Sequence, residues 1–107
     1  DETLANEIKD FLRRYGYIPA LISDFSDILK ECMNKNPDLM LMDINLPFYD
    51  GFYWCSQIRE FSQIPIIYIS SRNSDSDKIM AIAQGGDDFV EKPFNLSILK
   101  AKIEAIP

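Results

Sequence analysis

The chain has 107 residues, with 17 acidic and 11 basic side chains, no histidine and a formal net charge of −6. This length suits one domain whose core needs no metal or disulfide, and the negative charge disfavours direct binding to nucleic acid. Because no apolar run approaches the roughly 18 residues of a transmembrane helix, and no basic leader precedes an apolar segment, we expect a cytoplasmic protein.

Four elements are predicted in the first part of the chain from apolar periodicity and helix start and stop signals. They are a helix over residues 3–14, a strand over 17–22, a helix over 24–34 and a strand over 38–42. Pro19 places the first of these strands at an edge or a strand start, because proline donates no ladder hydrogen bond. Asp24 is the expected N-cap of the second helix. The apolar run DLMLM is typical of a strand covered on both faces of a parallel sheet.

The second part of the chain continues the alternation of helices and strands. Its predicted elements are a helix over residues 51–61, a strand over 65–69, a helix over 76–84, a strand over 88–92 and a helix over 95–106. Gly85 and Gly86 are expected to end one helix, and Asn95 to cap the last one. The order predicts an open parallel α/β sheet with right-handed crossovers.

Cys32 and Cys55 lie far apart, without CxxC spacing, in a chain that has no histidine. Zinc binding and Cys/His catalysis are therefore not predicted. Both side chains are expected to be buried or half-buried free thiols.

Asp43, Ser70 and Lys92 each stand where a predicted strand ends. The carboxyl ends of parallel strands meet at one edge of a sheet, so these side chains are expected to converge on one crevice. A carboxylate beside a lysine and a hydroxyl can attack phosphorus and form an aspartyl phosphate. Magnesium held by carboxylates and a carbonyl would steady the transferred group. Taken singly, the three residues also have ordinary interpretations as a turn carboxylate, a turn hydroxyl and a solvated charge.

Three segments favour the reactive interpretation together. MDINLPFYDGF, PIIYISSR and GGDDFVEKPF, in this order and spacing, resemble the receiver domain of two-component response regulators over nearly the whole chain. The resemblance implies a flavodoxin-like (CheY-like) three-layer α/β sandwich, with a parallel sheet and helices on both faces. Residues 1–107 would form this receiver domain.

The resemblance also implies a role for each matching residue. Asp43 would accept the phosphoryl group and bind Mg²⁺ together with the backbone carbonyl of Asn45. Ser70 would be the switch hydroxyl, and Lys92 would pair with the phosphoryl group. Pro93 would follow a cis peptide bond. Phe89 would be an aromatic that moves inward with the serine.

Within this family, PFYDGFYWC and ISSR look most like the OmpR/PhoB-type regulators of responses to bacitracin and other cell-envelope peptides. That similarity implies a membrane histidine kinase as phosphodonor and a DNA-binding domain outside these residues. It also implies a homodimer formed through the last two helices and the last strand. The residues expected on this dimer face are Lys78, Asp87, Asp88 and Lys102, with Lys102 pairing with Asp87 or Asp88 of the other subunit.

The chain departs from the family pattern at its start. The family begins with a central strand that ends in a pair of magnesium-binding acids, and this strand is missing here. Asp1 is either the last of those acids or one residue beyond them, so it is only a doubtful metal ligand. We expect upstream residues or another chain to supply the strand, because its absence leaves backbone groups unpaired.

Three other functions share features with this sequence. A haloacid-type phosphatase also uses an aspartyl phosphate but needs a second acid two positions later, where this chain has Asn45. A flavodoxin-like FMN carrier needs a phosphate-binding loop that DETLANE does not provide. A pseudo-receiver that binds partners without being phosphorylated is the remaining alternative; the missing acids favour it, and the retained Asp43, Ser70 and Lys92 oppose it.

Overall fold

The computed structural model describes residues 2–72 and 74–106. In chain order the elements are α1 (Glu2–Arg14), α2 (Ile28–Lys35), β1 (Met40–Asp43), α3 (Gly51–Arg59), β2 (Ile66–Ser70), α4 (Asp75–Ala83), β3 (Asp88–Glu91) and α5 (Leu96–Ala105). The three strands form a parallel sheet in the order β1-β2-β3. The predicted open parallel α/β sheet is therefore confirmed.

Helices cover both faces of the sheet and make two apolar cores. Alternate residues of β2 pack on different faces of the sheet, because successive side chains in a strand point to opposite faces. Ile66 and Tyr68 pack with α2, α3 and α4, whereas Ile67 and Ile69 pack with α1 and α5. All five residues of β2 are buried, as expected for a strand between two helical layers.

The second helix begins later than predicted. The Asp27 carboxylate accepts a hydrogen bond from the backbone N–H of Lys30 at 3.1 Å, so Asp27 is the N-cap of α2. Asp24 instead caps a turn by accepting from the N–H of Ser26 at 3.0 Å. Aspartate suits both positions, because its short side chain reaches backbone donors two or three residues ahead. The predicted cap at Asn95 is confirmed, since its side chain accepts from the N–H of Ser97.

The predicted strand over residues 17–22 is wrong. These residues form no strand, and the side chain of Ile18 is 97% exposed. A strand requires a neighbour for its backbone donors and acceptors. Among the described residues the sheet ends at β1, so no neighbouring strand is available to pair with residues 17–22. The local pattern was compatible with a strand that has no partner here.

Both cysteines are buried free thiols, as predicted. Burial raises the pKa of the Cys32 thiol and of the Cys55 thiol. Within the part of the chain that the structure describes, no helix is long and apolar enough to cross a membrane.

Candidate functional site

Asp43, Ser70 and Lys92 converge at the carboxyl edge of the sheet. Asp43 is the last residue of β1, Ser70 is the last residue of β2, and Lys92 follows β3 directly. The parallel register aligns Asp43 with Ile69, and Ser70 with Glu91. The strand ends are therefore level, which brings three residues that are distant in sequence to one crevice.

The Asp43 carboxylate is held from two sides. Its Oδ2 accepts a hydrogen bond from Lys92 Nζ at 2.8 Å, and its Oδ1 accepts from the backbone N–H of Asn45 at 3.2 Å. The side chains of Asp43 and Lys92 are 26% and 23% exposed. The ion pair is thus shielded from bulk water yet open to an incoming reactant.

Gly51 allows the backbone of β1 to approach the start of α3. A Cβ atom at Gly51 would overlap the carbonyl oxygen of Asp43. The N–H of Gly51 donates to the carbonyl of Ile44 at 2.8 Å. Asp50 caps the same helix by accepting from the N–H of Tyr53 at 2.8 Å. The first turn of α3 therefore supports the backbone beneath Asp43.

The peptide bond between Lys92 and Pro93 is cis. The N–H of Lys92 donates to the carbonyl of Ser70 at 2.9 Å, which continues the pairing of β3 with β2 by one residue. This contact places the lysine beyond the end of β2, from where its side chain reaches Asp43.

Ser70 is fully buried, and its Oγ accepts a hydrogen bond from the backbone N–H of Arg72 at 3.0 Å. Phe89, the expected aromatic switch, lies half-buried on β3 beside the core formed by α2, α3 and α4. The register pairs Phe89 with Tyr68, two residues before Ser70. The structure therefore places the aromatic and the hydroxyl on adjacent strands of the central sheet.

Arg72 joins the site through its backbone N–H and its guanidinium. Its guanidinium donates to Asn45 Oδ1 at 3.4 Å and to Asp77 Oδ1 at 2.8 Å, and it lies over the ring of Phe52 at 5.6 Å from the centroid. Its position two residues after Ser70 was the available sequence signal. The participation of Asp77 and Phe52 depends on how α3 and α4 meet the sheet.

The donor atoms suit Mg²⁺ in kind. Asp43 supplies hard carboxylate oxygens, and Asn45, the other expected ligand, follows two residues later. Mg²⁺ commonly uses one or two carboxylates, with waters and phosphate oxygens completing its shell. Within residues 2–72 and 74–106 there is no group of three or more acidic, cysteine or histidine side chains that could hold a metal ion. Asp1, the third expected ligand, lies outside the described residues.

An open cleft of about 420 Å³ adjoins Lys92. It is lined by Thr3, Leu4, Glu7, Ser71, Lys92, Pro93 and Phe94. The cleft lies between α1 and the loops that follow β2 and β3.

The charged residues expected on a dimer face have partners within the chain. Lys78 pairs with Glu91, and Lys102 Nζ lies 3.1 Å from Asp88 Oδ1. Asp87 Oδ2 accepts from Arg59 Nη2 at 3.0 Å and from the buried N–H of Ile66 at 2.8 Å. Asp87 therefore has a structural role that its sequence position did not reveal, because its carboxylate binds Arg59 and Ile66 of the same chain.

Comparisons with known proteins agree with this architecture. A family model described as the response regulator receiver domain matches residues 1–104. The transcriptional regulatory protein YxdJ of Bacillus subtilis is 46% identical over 97% of this chain and 45% of its own length. The sensory transduction protein BceR of the same organism is 45% identical over 99% of this chain and 46% of its own length. The chain thus spans about half the length of the curated relatives it matches.

Among solved structures, the N-terminal domain of NsrR, a lantibiotic response regulator for nisin resistance, superposes with a TM-score of 0.89. It is 47% identical, and the match covers 99% of this chain and 90% of that one. These likenesses confirm the flavodoxin-like three-layer fold, with the first strand missing here, and the similarity to regulators of the antimicrobial-peptide-response type. The chain belongs to the response regulator receiver domain family.

Proposed function

We propose that this domain is a phosphorylation-dependent signalling switch in which Asp43 accepts a phosphoryl group from a histidine kinase. The observation that carries the proposal is the contact between Lys92 Nζ and Asp43 Oδ2, with Ser70 at the end of the intervening strand. This arrangement presents a nucleophile, a cation and a hydroxyl at one edge of the sheet, and family membership supports it.

The proposed transfer uses groups of this chain. A carboxylate oxygen of Asp43 forms the new bond to phosphorus while the bond from phosphorus to the donor nitrogen breaks. Lys92 keeps its positive charge and offsets negative charge on the phosphoryl oxygens. The Ser70 hydroxyl donates to one of these oxygens and responds to the modification. Asn45 lacks the acidic proton that a haloacid-type phosphatase would need at this position.

Asp43 and the carbonyl of Asn45 would hold the metal. Mg²⁺, when bound, would neutralise charge on the carboxylate and on the transferring group. The Asn45 N–H donates to Oδ1 of Asp43, and Lys92 Nζ donates to Oδ2. Both carboxylate oxygens are therefore oriented before a phosphodonor arrives.

The proposed output is a change in self-association that controls a DNA-binding effector domain. Exposed apolar side chains on α4 and α5, namely Ile79, Ile82 and Ile98, support a contact surface there. Lys78 and Lys102 have acidic partners within the chain. Either lysine would therefore have to leave that partner in order to pair with an acidic residue of another subunit. The coverage of about half of each relative supports the interpretation of residues 1–107 as the receiver part of a longer regulator.

Intact-mass spectrometry after incubation with acetyl phosphate and Mg²⁺ tests the acceptor. We expect this chain, or a version extended by the native upstream strand, to gain one phosphoryl group. Asp43→Asn should abolish the gain, because the amide is a poor nucleophile. Asp38→Asn is the matched control, since Asp38 is an exposed aspartate just before β1.

A gain that persists in Asp43→Asn would contradict the assignment of the acceptor. If neither version gains mass while both remain folded by circular dichroism, the domain is a pseudo-receiver that binds partners without modification. A gain only in the extended version would show that the upstream strand and its acids are needed for the chemistry.

A further inference from the structure

Arg72 contacts three parts of the site from one position. Its N–H donates to Ser70 Oγ, and its guanidinium contacts Asn45 Oδ1 on the loop after β1 and Asp77 Oδ1 in the first turn of α4. We propose that Arg72 is a positioning residue, held by Asp77 in the resting domain, which couples charge at Asp43 to the start of α4.

Asp77 is a well-supported anchor for the arginine. Its Oδ2 accepts from the Ser74 hydroxyl at 2.7 Å, and its own N–H donates to Ser74 Oγ at 3.2 Å. The bonds from Ser74, followed by that from Arg72, lower the pKa of the Asp77 carboxyl. The side chain is 16% exposed, whereas that of Arg72 is 40% exposed. The carboxylate is thus fixed, and the arginine is the partner with room to move.

The other contacts of Arg72 restrict where its guanidinium can go. Phe52 lies beneath the guanidinium, and this stacking allows the group to slide while it stays over the ring. Asn45 follows Asp43 by two residues, so a shift toward Asn45 brings the positive charge toward the acceptor. The contact with Asn45 is long, at 3.4 Å, which is consistent with a partner that is not fully engaged in the resting domain.

Phosphorylation changes the balance between the two ends of this network. A phosphoryl group adds about 1.5 to 2 negative charges and strong hydrogen-bond acceptors near Asn45. These charges compete with Asp77 for Arg72. Because the Arg72 backbone also holds the Ser70 hydroxyl, movement of the arginine is linked to the switch residue and to the first turn of α4.

The resting network is testable without phosphorylation, by amide chemical shifts in a ¹⁵N-labelled chain. Asp77→Asn should shift the Asn45 and Ser70 signals, and Asp75→Asn should leave them in place. Asp75 is the matched control because it is an acidic residue in the same first turn of α4. In an Arg72→Ala background, Asp77→Asn should no longer move Asn45. Equal shifts from both aspartate variants, or shifts that persist without Arg72, would overturn the coupling.

The second measurement rests on the proposed function. Asp77→Asn should lengthen the lifetime of the phosphorylated form by about two- to fivefold, because freed Arg72 stabilises the added charge. Arg72→Ala should still gain the mass of one phosphoryl group. Phosphorylation of this variant should, however, change the amide chemical shifts at the start of α4 less than it does in wild type. An unchanged lifetime in Asp77→Asn would overturn the inference and leave the acceptor assignment intact. If wild type gains no phosphoryl group, the acceptor assignment fails, whereas the resting shifts still decide whether Arg72 couples the loops.

Discussion

Lys92 Nζ contacts Asp43 Oδ2 at 2.8 Å although the two residues are 49 positions apart and their strands are not neighbours. The side chains meet across the end of β2, where Ser70 is buried. Neighbouring strands are about 4.8 Å apart, so β1 and β3, with β2 between them, are about 10 Å apart, and a long side chain is needed to cross this gap. The pair therefore depends on level strand ends and on a lysine placed just beyond β3.

Lys92→Ala should slow phosphorylation of Asp43 by roughly 10- to 100-fold, the range expected for loss of one charge-assisted hydrogen bond. Lys92→Arg should retain part of the rate, because it keeps the charge and loses the geometry of the ammonium group. Initial rates of mass gain with acetyl phosphate measure both effects. Equal rates in wild type and Lys92→Ala would refute a role for the lysine in the transfer.

Gly51→Ala should destabilise the domain by about 1–3 kcal/mol, since the new methyl group would overlap the Asp43 carbonyl and force the backbone apart. Urea unfolding followed by circular dichroism measures the change. Gln57→Ala on the same helix is the control and should change stability by less than about 0.5 kcal/mol. If Gly51→Ala were as stable as this control, the close approach of α3 to β1 would be incorrect.

Asp87→Ala should lower the free energy of unfolding by about 1–3 kcal/mol, because it leaves the buried N–H of Ile66 and the Arg59 guanidinium without this acceptor. Asp88→Ala should cost less, about 0–1 kcal/mol, since Asp88 Oδ1 accepts from the flexible Lys102 ammonium in a partly exposed pair and from the N–H of the adjacent, half-buried Phe89. Chemical unfolding of the two variants provides the comparison. Reduced self-association of Asp87→Ala without loss of stability would instead assign Asp87 to a dimer face.

The Cys55 thiol should resist modification in the folded domain at about pH 8, because burial raises its pKa and its Sγ donates to the carbonyl of Gln84 at 3.1 Å. Reaction with a disulfide reagent, with and without urea, measures this protection. Rapid reaction of both thiols in the folded domain would contradict the burial of Cys55.

The same raised pKa predicts lower stability at alkaline pH. Above the ordinary thiol pKa of 9.0 the unfolded chain loses the proton while the folded domain keeps it. The contribution is therefore fully present below pH 9.0 and is lost as pH rises toward the folded-state pKa. Urea unfolding between about pH 8 and pH 10.5 should show this decline above pH 9.0, with a smaller slope in Cys55→Ala. An equal slope in that variant would exclude the thiol as a cause.

Periodicity located most elements because amphipathic helices and doubly covered strands leave distinct patterns. It failed at residues 17–22, where the pattern was compatible with a strand but the structure offers no neighbouring strand. It also placed the start of α2 at Asp24, because two aspartates three residues apart both suit a cap and only packing separates them. Local patterns report what a segment can form, and partners decide what it does form.

The order of residues was enough to predict the parallel α/β alternation and the three strand ends that carry Asp43, Ser70 and Lys92. These features depend on local periodicity and on residue types at strand ends, and the similarity of three motifs to receiver domains indicated the family. Tertiary structure decided that Asp87 supports Ile66 and Arg59, and that Arg72 links Asn45 to Asp77. Such contacts join side chains from separate elements, so they depend on distances that are set only when helices pack against the sheet.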